Sequence, residues 1–324
     1  MFRFRFGKLA ACSIAGMALA AGVAVAQEYP AKQITFYVPF AAASATDTLA
    51  RALGQGITTE TKQNVVIDNR PGANGIIAAQ AFIKTPADGY SVLIATNTTH
   101  AANEHLYKKI PYDPVRDFTP VTTLARGGQV MIVNPRVPAK TVKEFIALAK
   151  RQPDKLTFGG GSSSSRVASE LFQQMAGIKL IHVPYKSNPM AVTDVVGGHI
   201  DMMITDVVTG LPQVEAGKVR ALGVSSPKRL PNVPELPTIA EAGVPGYELT
   251  FWFAAYLPAK APPAVVARLR ELFINAGKSA PAQAFYKTTG IESWNTTSAE
   301  LVKFQAAESA KWAKVIKKAG IEPE

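Results

Sequence analysis

Short apolar runs alternate along this chain with stretches whose apolar positions recur every three or four residues. The first run, Ile34-Thr35-Phe36-Tyr37-Val38, predicts a strand. Pro39 and Phe40 end it, a small-residue loop runs from Ala41 to Asp47, and Leu49, Leu53 and Ile57 mark one face of a helix. A second strand pattern, Asn64 to Asp68, leads into the breaker-rich loop Asn69-Arg70-Pro71-Gly72-Ala73-Asn74-Gly75, and a helix is expected from Ile76 to about Lys84. Tyr90 to Thr96 is the third strand and ends in the polar run Thr96-Asn97-Thr98-Thr99. Strand and helix alternating with short connections predict a parallel sheet covered by helices. In such sheets ligands collect at the carboxyl ends of the strands, so the loops at 41–47 and 96–99 should meet at one place.

Residues 106–128 carry Pro, Asp and Gly at irregular spacing and predict no regular element; Val130 to Val133 is a clear strand after them. A capping box, Thr141-Val142-Lys143-Glu144, opens a helix that ends near Lys150. A second strand–helix series follows, with strands at 156–158, 180–183, 202–205 and 221–224 and helices near 166–176, 189–196 and 208–217. The proline-rich stretch 226–248 reads as a return connection, and Leu249 to Tyr256 as a strand with three adjacent aromatics, Phe251, Trp252 and Phe253. Three helix patterns finish the chain, the last opening at the box Thr297-Ser298-Ala299-Glu300, with Leu301, Phe304, Trp312 and Val315 on one face. Two α/β series and a helical tail predict two lobes with a cleft between them. Crossings are expected near 125–130 and 230–250, with the tail packed on the first lobe.

Composition narrows the compartment. Arg3, Arg5 and Lys8 precede the uncharged, Ala- and Gly-rich stretch Leu9 to Val25, and Ala24-Val25-Ala26 is a small-x-small cleavage site. Residues 1–26 therefore read as a secretory signal, with the mature chain starting at Gln27, and not as a retained membrane helix. The only cysteine, Cys12, falls inside that signal, so the mature chain has no disulfide and no thiolate chemistry. Net charge is +11, of which +8 remains once the three bases of the signal are gone. The bases are dispersed, with no run of five and no basic–aromatic stripe, which argues against nucleic acid as a partner.

Candidate chemistry sits in the loops. The small-residue loop brings free backbone N–H groups and the positive end of a helix to one point, with the hydroxyls of Ser44 and Thr46 beside them. A carboxylate or phosphate is the natural guest, and an ordinary capped turn is the competing reading. The run Phe158-Gly159-Gly160-Gly161-Ser162-Ser163-Ser164-Ser165-Arg166 repeats the arrangement in the second series. Arg166 falls in the first helical turn, where the helix dipole disfavours a cation; an anion held beside it would remove that conflict. Tyr185 is placed to wall a pocket and donate a hydrogen bond. Asp206 is placed to accept from a ligand hydroxyl or to cap a helix.

Enzymatic constellations are poor. There is no G-x-S-x-G elbow, no P-loop and no H-E-x-x-H among the four histidines, and no cofactor or metal is expected. A Ser163–His182–Asp206 set can be written for a serine hydrolase, with nothing in the spacing to support it.

Ordered landmarks then run through the whole mature chain. They include Val38-Pro39-Phe40 with Asp47, Asn69-Arg70-Pro71-Gly72-Ala73, Asp88-Gly89-Tyr90, Tyr112-Asp113-Pro114, and Val133-Asn134-Pro135. His182-Val183-Pro184-Tyr185-Lys186, Glu241 to Tyr247 and Lys311-Trp312-x-Lys314-Val315-Ile316 complete the set. In these the chain resembles the Bug-type, or TctC-like, periplasmic solute-binding proteins of tripartite tricarboxylate transporters. The resemblance implies a two-lobed periplasmic-binding-protein fold of type II-like form, each lobe a mostly parallel sheet flanked by helices, with the ligand in the inter-lobe cleft. Lobe 1 is expected at 27–127 plus 231–324 and lobe 2 at 128–230.

It further implies a monomer that is no enzyme, captures a carboxylate in the periplasm and delivers it to a membrane permease. Sensing through a membrane receptor is the alternative. The ligand-binding residues it implies are Phe40, Ala43, Ser44, Ala45, Thr46 and Asp47 of the first loop, with Thr96 and Asn97. In the second lobe they are Gly160, Ser162, Ser163, Ser164, Ser165, Arg166, Tyr185 and Asp206. Four positions depart from the family pattern: Ala43-Ser44 replaces Gly-Gly, Arg166 stands where His is common, and Ser187 replaces a glycine. The added charge of Arg166 points to a dicarboxylate, either aliphatic or citrate-like, or aromatic such as a phthalate isomer.

Overall fold

The structure, a computed structural model, describes residues 1–2 and 29–324; the expected signal, its cleavage site and Cys12 lie outside the described residues. In the first lobe β1 (Ile34–Val38) lies between β2 (Val65–Asn69) and β3 (Ser91–Thr96), and both pairings are parallel. Helices α1 (Ala45–Thr61) and α2 (Ile76–Phe82) make the crossovers. Ile34, Phe36 and Val38 alternate into the core under Leu49, Leu53 and Ile57 of α1, as the two periodicities require. After β3 the chain makes one wide, π-type turn (Thr98–Ala102) and a short α3 (Asn103–Leu106).

The segment expected to be irregular is largely a long strand. β4 runs sixteen residues, Phe118–Val133, straight through Pro120 and the Gly127-Gly128 pair. Pro and Gly normally argue against an interior strand. Here the pairing of β4 with β9 (Thr250–Pro258) shifts register between Pro120 and Thr122 and again between Thr123 and Ala125, so the ladder accommodates Pro120 beside a bulge, while Gly127 and Gly128 stay in register with Phe251 and Thr250. From Phe118 to Gly128 the partner is β9; from Gln129 onward the partners are β7 (Met202–Asp206) and β8 (Arg220–Val224). One strand thus passes from lobe to lobe.

The second lobe adds α4 (Val142–Arg151), β5 (Thr157–Gly160), α5 (Ser163–Ala176), β6 (Ile181–Pro184), α6 (Asn188–Gly197) and α7 (Val207–Glu215). β5 is parallel to β6 and β7. The strand order is β2-β1-β3-β9-β4-β7-β5-β6, with β8 and β10 (Glu292–Ser293) also paired to β4. The parallel strands occupy the two flanks. The crossing strands β4 and β9 run antiparallel to each other and to their neighbours β7 and β3.

Part of the return connection packs on the second lobe: Tyr247 donates its hydroxyl proton to Ala168 O (2.8 Å), and its ring meets Phe172 edge-on. Helices α8 (Pro263–Gly277) and α9 (Ala280–Thr289) cover α1. The last helix, α10 (Ser298–Lys318), opens with the expected Thr297/Glu300 capping box. It is fixed to the first lobe, where Trp252 Nε1 donates to Glu308 and Tyr256 Oη to Gln305. The tail beyond it also reaches the second lobe. Glu324 exchanges backbone hydrogen bonds with Leu106 and Lys108, while its carboxylate pairs with Arg166 on α5. Among the described residues no helix is long and apolar enough to cross a membrane.

Candidate ligand site between the lobes

Strands β1, β3, β5, β6 and β7 all end at one cleft, and the helices that follow four of them begin there. The N-caps of α1, α5, α6 and α7 are Ser44, Ser162, Ser187 and Asp206, and all four line a single cavity. Three of these turns are closed by a side-chain cap; Ser187 makes none. A short polar side chain at the N-cap replaces a helical hydrogen bond, as Ser44 Oγ does for Asp47 N–H (3.3 Å) and Ser162 Oγ for Ser165 N–H (3.2 Å). The N–H groups of Ala45 and Thr46, in the first turn of α1, have no intrahelical acceptor, and both residues line the same cavity.

From the first lobe the cavity is lined by Phe40, Ser44, Ala45, Thr46, Thr96 and Asn97, joined by Thr98, Phe251 and Phe253. The second lobe contributes Gln129, Ser162, Ser164, Ser187, Asn188 and Asp206. The lobes touch beside it. Ala41 N–H donates to Ser187 Oγ (3.3 Å), and Ser163 Oγ donates to Asn103 Oδ1 (2.8 Å). The space left is about 40 Å³, room for roughly three water molecules.

Asn97 is the telling residue. It is 1% exposed, it lines the cavity, and its Nδ2 has no hydrogen-bond partner. A buried amide donor without an acceptor costs about 1–3 kcal/mol, so it implies a guest that accepts. Among the described residues Asp206 is the one ionisable side chain on the wall. Burial pushes its carboxyl above the usual range, although Asn188 Nδ2 (2.8 Å) and Thr209 N–H (2.9 Å) donate to it.

Several expected residues support the wall from behind. Asp47 is buried and would be pushed up by that burial, but Arg51, Ala43 N–H and Asn69 Nδ2 donate to it and hold its carboxyl below the usual range. Ala43 is exposed on the loop with φ 63° and does not line the cavity. Gly160 accepts from Tyr185 N–H, Ser165 closes a capping box with Ser162, and Ser163 makes the inter-lobe bond. Gly161 shows why the loop is glycine-rich. A Cβ there would stand 2.4 Å from the Ser187–Asn188 backbone, so α5 and α6 bring their N-termini together only through a residue without one.

Two further expectations need correction. Arg166 does not line the cavity. It sits in the first turn of α5 and does meet an anion, but that anion is the chain's own Glu324 carboxylate. Tyr185 turns away as well: its hydroxyl donates to Asp194 Oδ2 (2.6 Å), its ring packs in the core, and its pKa is pushed up to about 12, chiefly by burial. The Ser163–His182–Asp206 set is not assembled either. Ser163 bonds Asn103, His182 stacks on Phe158, and Asp206 bonds Asn188 and Thr209.

Comparison with known proteins gives the family and the fold. The model of the tripartite tricarboxylate transporter family receptor (TctC) matches residues 49–321. The chain belongs to this family. An R. palustris protein solved with adipate is 36% identical to the receptor, with a TM-score of 0.89 over 92% of this chain and 100% of that one. The periplasmic binding protein BugD is 28% identical, with a TM-score of 0.87 over 91% and 100%. MatC from Rhodopseudomonas palustris, solved with bound malate, is 26% identical, with a TM-score of 0.84 over 89% and 100%. The receptor is thus a solute-binding protein of Bug/TctC type and not an enzyme, and the two-lobed periplasmic-binding-protein fold is that of its relatives.

Proposed function

We propose that this receptor captures a small dicarboxylate in the periplasm and hands it to the membrane permease of a tripartite tricarboxylate transporter. The unpartnered Asn97 Nδ2 carries the reading. It supplies a neutral donor beside the free N–H groups of Ala45 and Thr46, and together with the dipole of α1 these suit one carboxylate. Phe40, Phe251 and Phe253 suit an apolar spacer, and the N-termini of α5 and α6 offer donors for the far end. The adipate and malate of two relatives favour the aliphatic class, as does the small cavity. We place the lobe boundaries at the partner switch of β4, between Gly128 and Gln129, and just before β9, near residue 249. The receptor acts as a monomer after removal of residues 1–26 by signal cleavage.

The test is a thermal-shift and calorimetric screen of refolded, ligand-free protein against adipate, succinate, malate, phthalate, hexanoate and a neutral diol. A ligand at 100 times its Kd should add about 2.7 kcal/mol of stability, a rise of a few degrees in Tm. Binding of one or more aliphatic dicarboxylates with no response to the diol is expected. No response to any acid overturns carboxylate capture.

A further inference from the structure

Asp206 is not explained by carboxylate capture. It is 7% exposed on the second-lobe wall, across the cavity from the α1 N-terminus, and among the described residues it is the only ionisable one lining the cavity. Every element around it presents neutral groups there: β4 through Gln129, α5 through Ser162 and Ser164, α6 through Ser187 and Asn188, and α7 through Thr209. The nearby acids and bases are engaged elsewhere. Asp194 takes the Tyr185 hydroxyl, Arg166 takes Glu324, and Asp47 across the cleft is paired with Arg51.

A dicarboxylate with one end at α1 brings its other end toward a wall that holds an acid and no base. Two carboxylates sharing a site closed to water do not both stay ionised; one proton is retained by the pair. We propose that this receptor binds its dicarboxylate together with one proton, shared between the Asp206 carboxyl and the far carboxylate of the ligand. The proton comes from solvent as the lobes close. It is donated across an O–H···O⁻ hydrogen bond, a short and strong kind of contact, and it returns to solvent on release. Asp206 is then a specificity residue. It rewards a ligand whose far end can accept a hydrogen bond, and it makes capture tighter in an acidic periplasm. Burial already favours its neutral form in the free protein. The inference rests on the dicarboxylate reading above.

The experiment is calorimetric titration of the whole mature receptor with adipate from pH 5.5 to 8.5, in phosphate and in Tris, whose ionisation heats differ. Wild type should take up close to one proton per adipate at the upper end of this range. Its Kd should rise about tenfold per pH unit above the pKa of Asp206 in the free protein. Asp206→Asn keeps a good N-cap and a hydrogen-bonding side chain, and should bind adipate with no proton and a flat pH profile. Adipate binding to wild type without proton uptake overturns the proposal and leaves dicarboxylate capture standing; so does an Asp206→Asn variant that keeps the slope. The wild-type proton count decides even if that variant folds poorly. Failure of adipate, succinate and malate to bind at any pH removes the dicarboxylate reading, and the proton with it.

Discussion

Removing the Arg166 side chain separates two readings of this receptor. If Arg166 met the ligand's second carboxylate, Arg166→Ala would remove a charged hydrogen bond of about 1.5–3 kcal/mol. Dicarboxylates would then bind roughly 10- to 150-fold more weakly and monocarboxylates would be unaffected. The structure predicts otherwise. Arg166 is tied to Glu324, and Glu324 is bonded through its backbone to Leu106 and Lys108 of the other lobe. The pair is therefore a clasp between the lobes, and Arg166 does not line the cavity. Its Glu324 side chain is 56% exposed, which screens the attraction and limits its worth to about 0.2–1 kcal/mol. Losing it should lower the population of the closed form and weaken every ligand alike, by about 1.4- to 5-fold. Glu324→Gln should give the same small, ligand-independent loss, and the double variant should add little. The assay is calorimetric titration of wild type and the three variants with adipate and hexanoate at one pH and salt. A loss above tenfold confined to adipate refutes the clasp and returns Arg166 to the site.

Other expectations follow from the same geometry. Asn97→Ala deletes a donor with no partner in the protein, so the fold should keep its stability in urea while adipate affinity falls about 10- to 150-fold; unchanged affinity would remove Asn97 from the site. Gly161→Ala places a methyl group against the Ser187–Asn188 backbone and should cost about 1–3 kcal/mol in urea unfolding as well as weakening binding, and a neutral result would mean that the two helix N-termini are not in contact. His100 is fully buried, and burial alone lowers its pKa to about 3. The unfolded chain, with a His pKa near 6.5, then binds the extra proton between about pH 6.5 and 3, so its contribution to stability is complete above that window and is lost as pH falls through it. His100→Gln should flatten the acid limb of the stability profile by up to about 1.4 kcal/mol per pH unit, and an unchanged limb would mean that His100 titrates normally.

The half of the site that was legible in the sequence is the half written locally. A strand end, a small-residue loop and a helix start are encoded within about ten residues, and that grammar located Ser44, Thr46, Asn97, Ser162, Ser164 and Asp206 on the cavity wall. Gln129 was hidden because β4 runs through proline and glycine signals that read as irregular chain, so its side-chain direction was not available. Phe251 and Phe253 were read only as part of a strand; their i, i+2 spacing puts them on one face, and only the place of β9 between β3 and β4 turns that face to the cleft. The errors share a cause. The partner of Arg166 lies 158 residues away at the far end of the chain, and Tyr185 bonds Asp194 on the following helix. Long side chains on a correctly placed loop still choose among partners that the sequence pattern does not reveal.

Arg166 also shows how a sound physical premise reached a wrong address. A cation in the first turn of a helix opposes the helix dipole, and an anion beside it relieves that opposition. The premise held, but Glu324 of the chain satisfies it. What remains for a ligand is a wall of hydroxyls, amides and helix N-termini with no formal positive charge. A site that holds an anion by dipoles from both lobes, not by a buried ion pair in one of them, is complete only when the lobes are together. On the proposed function its affinity would be coupled to closure, which would let the receptor keep a solute and surrender it when a permease draws the lobes apart.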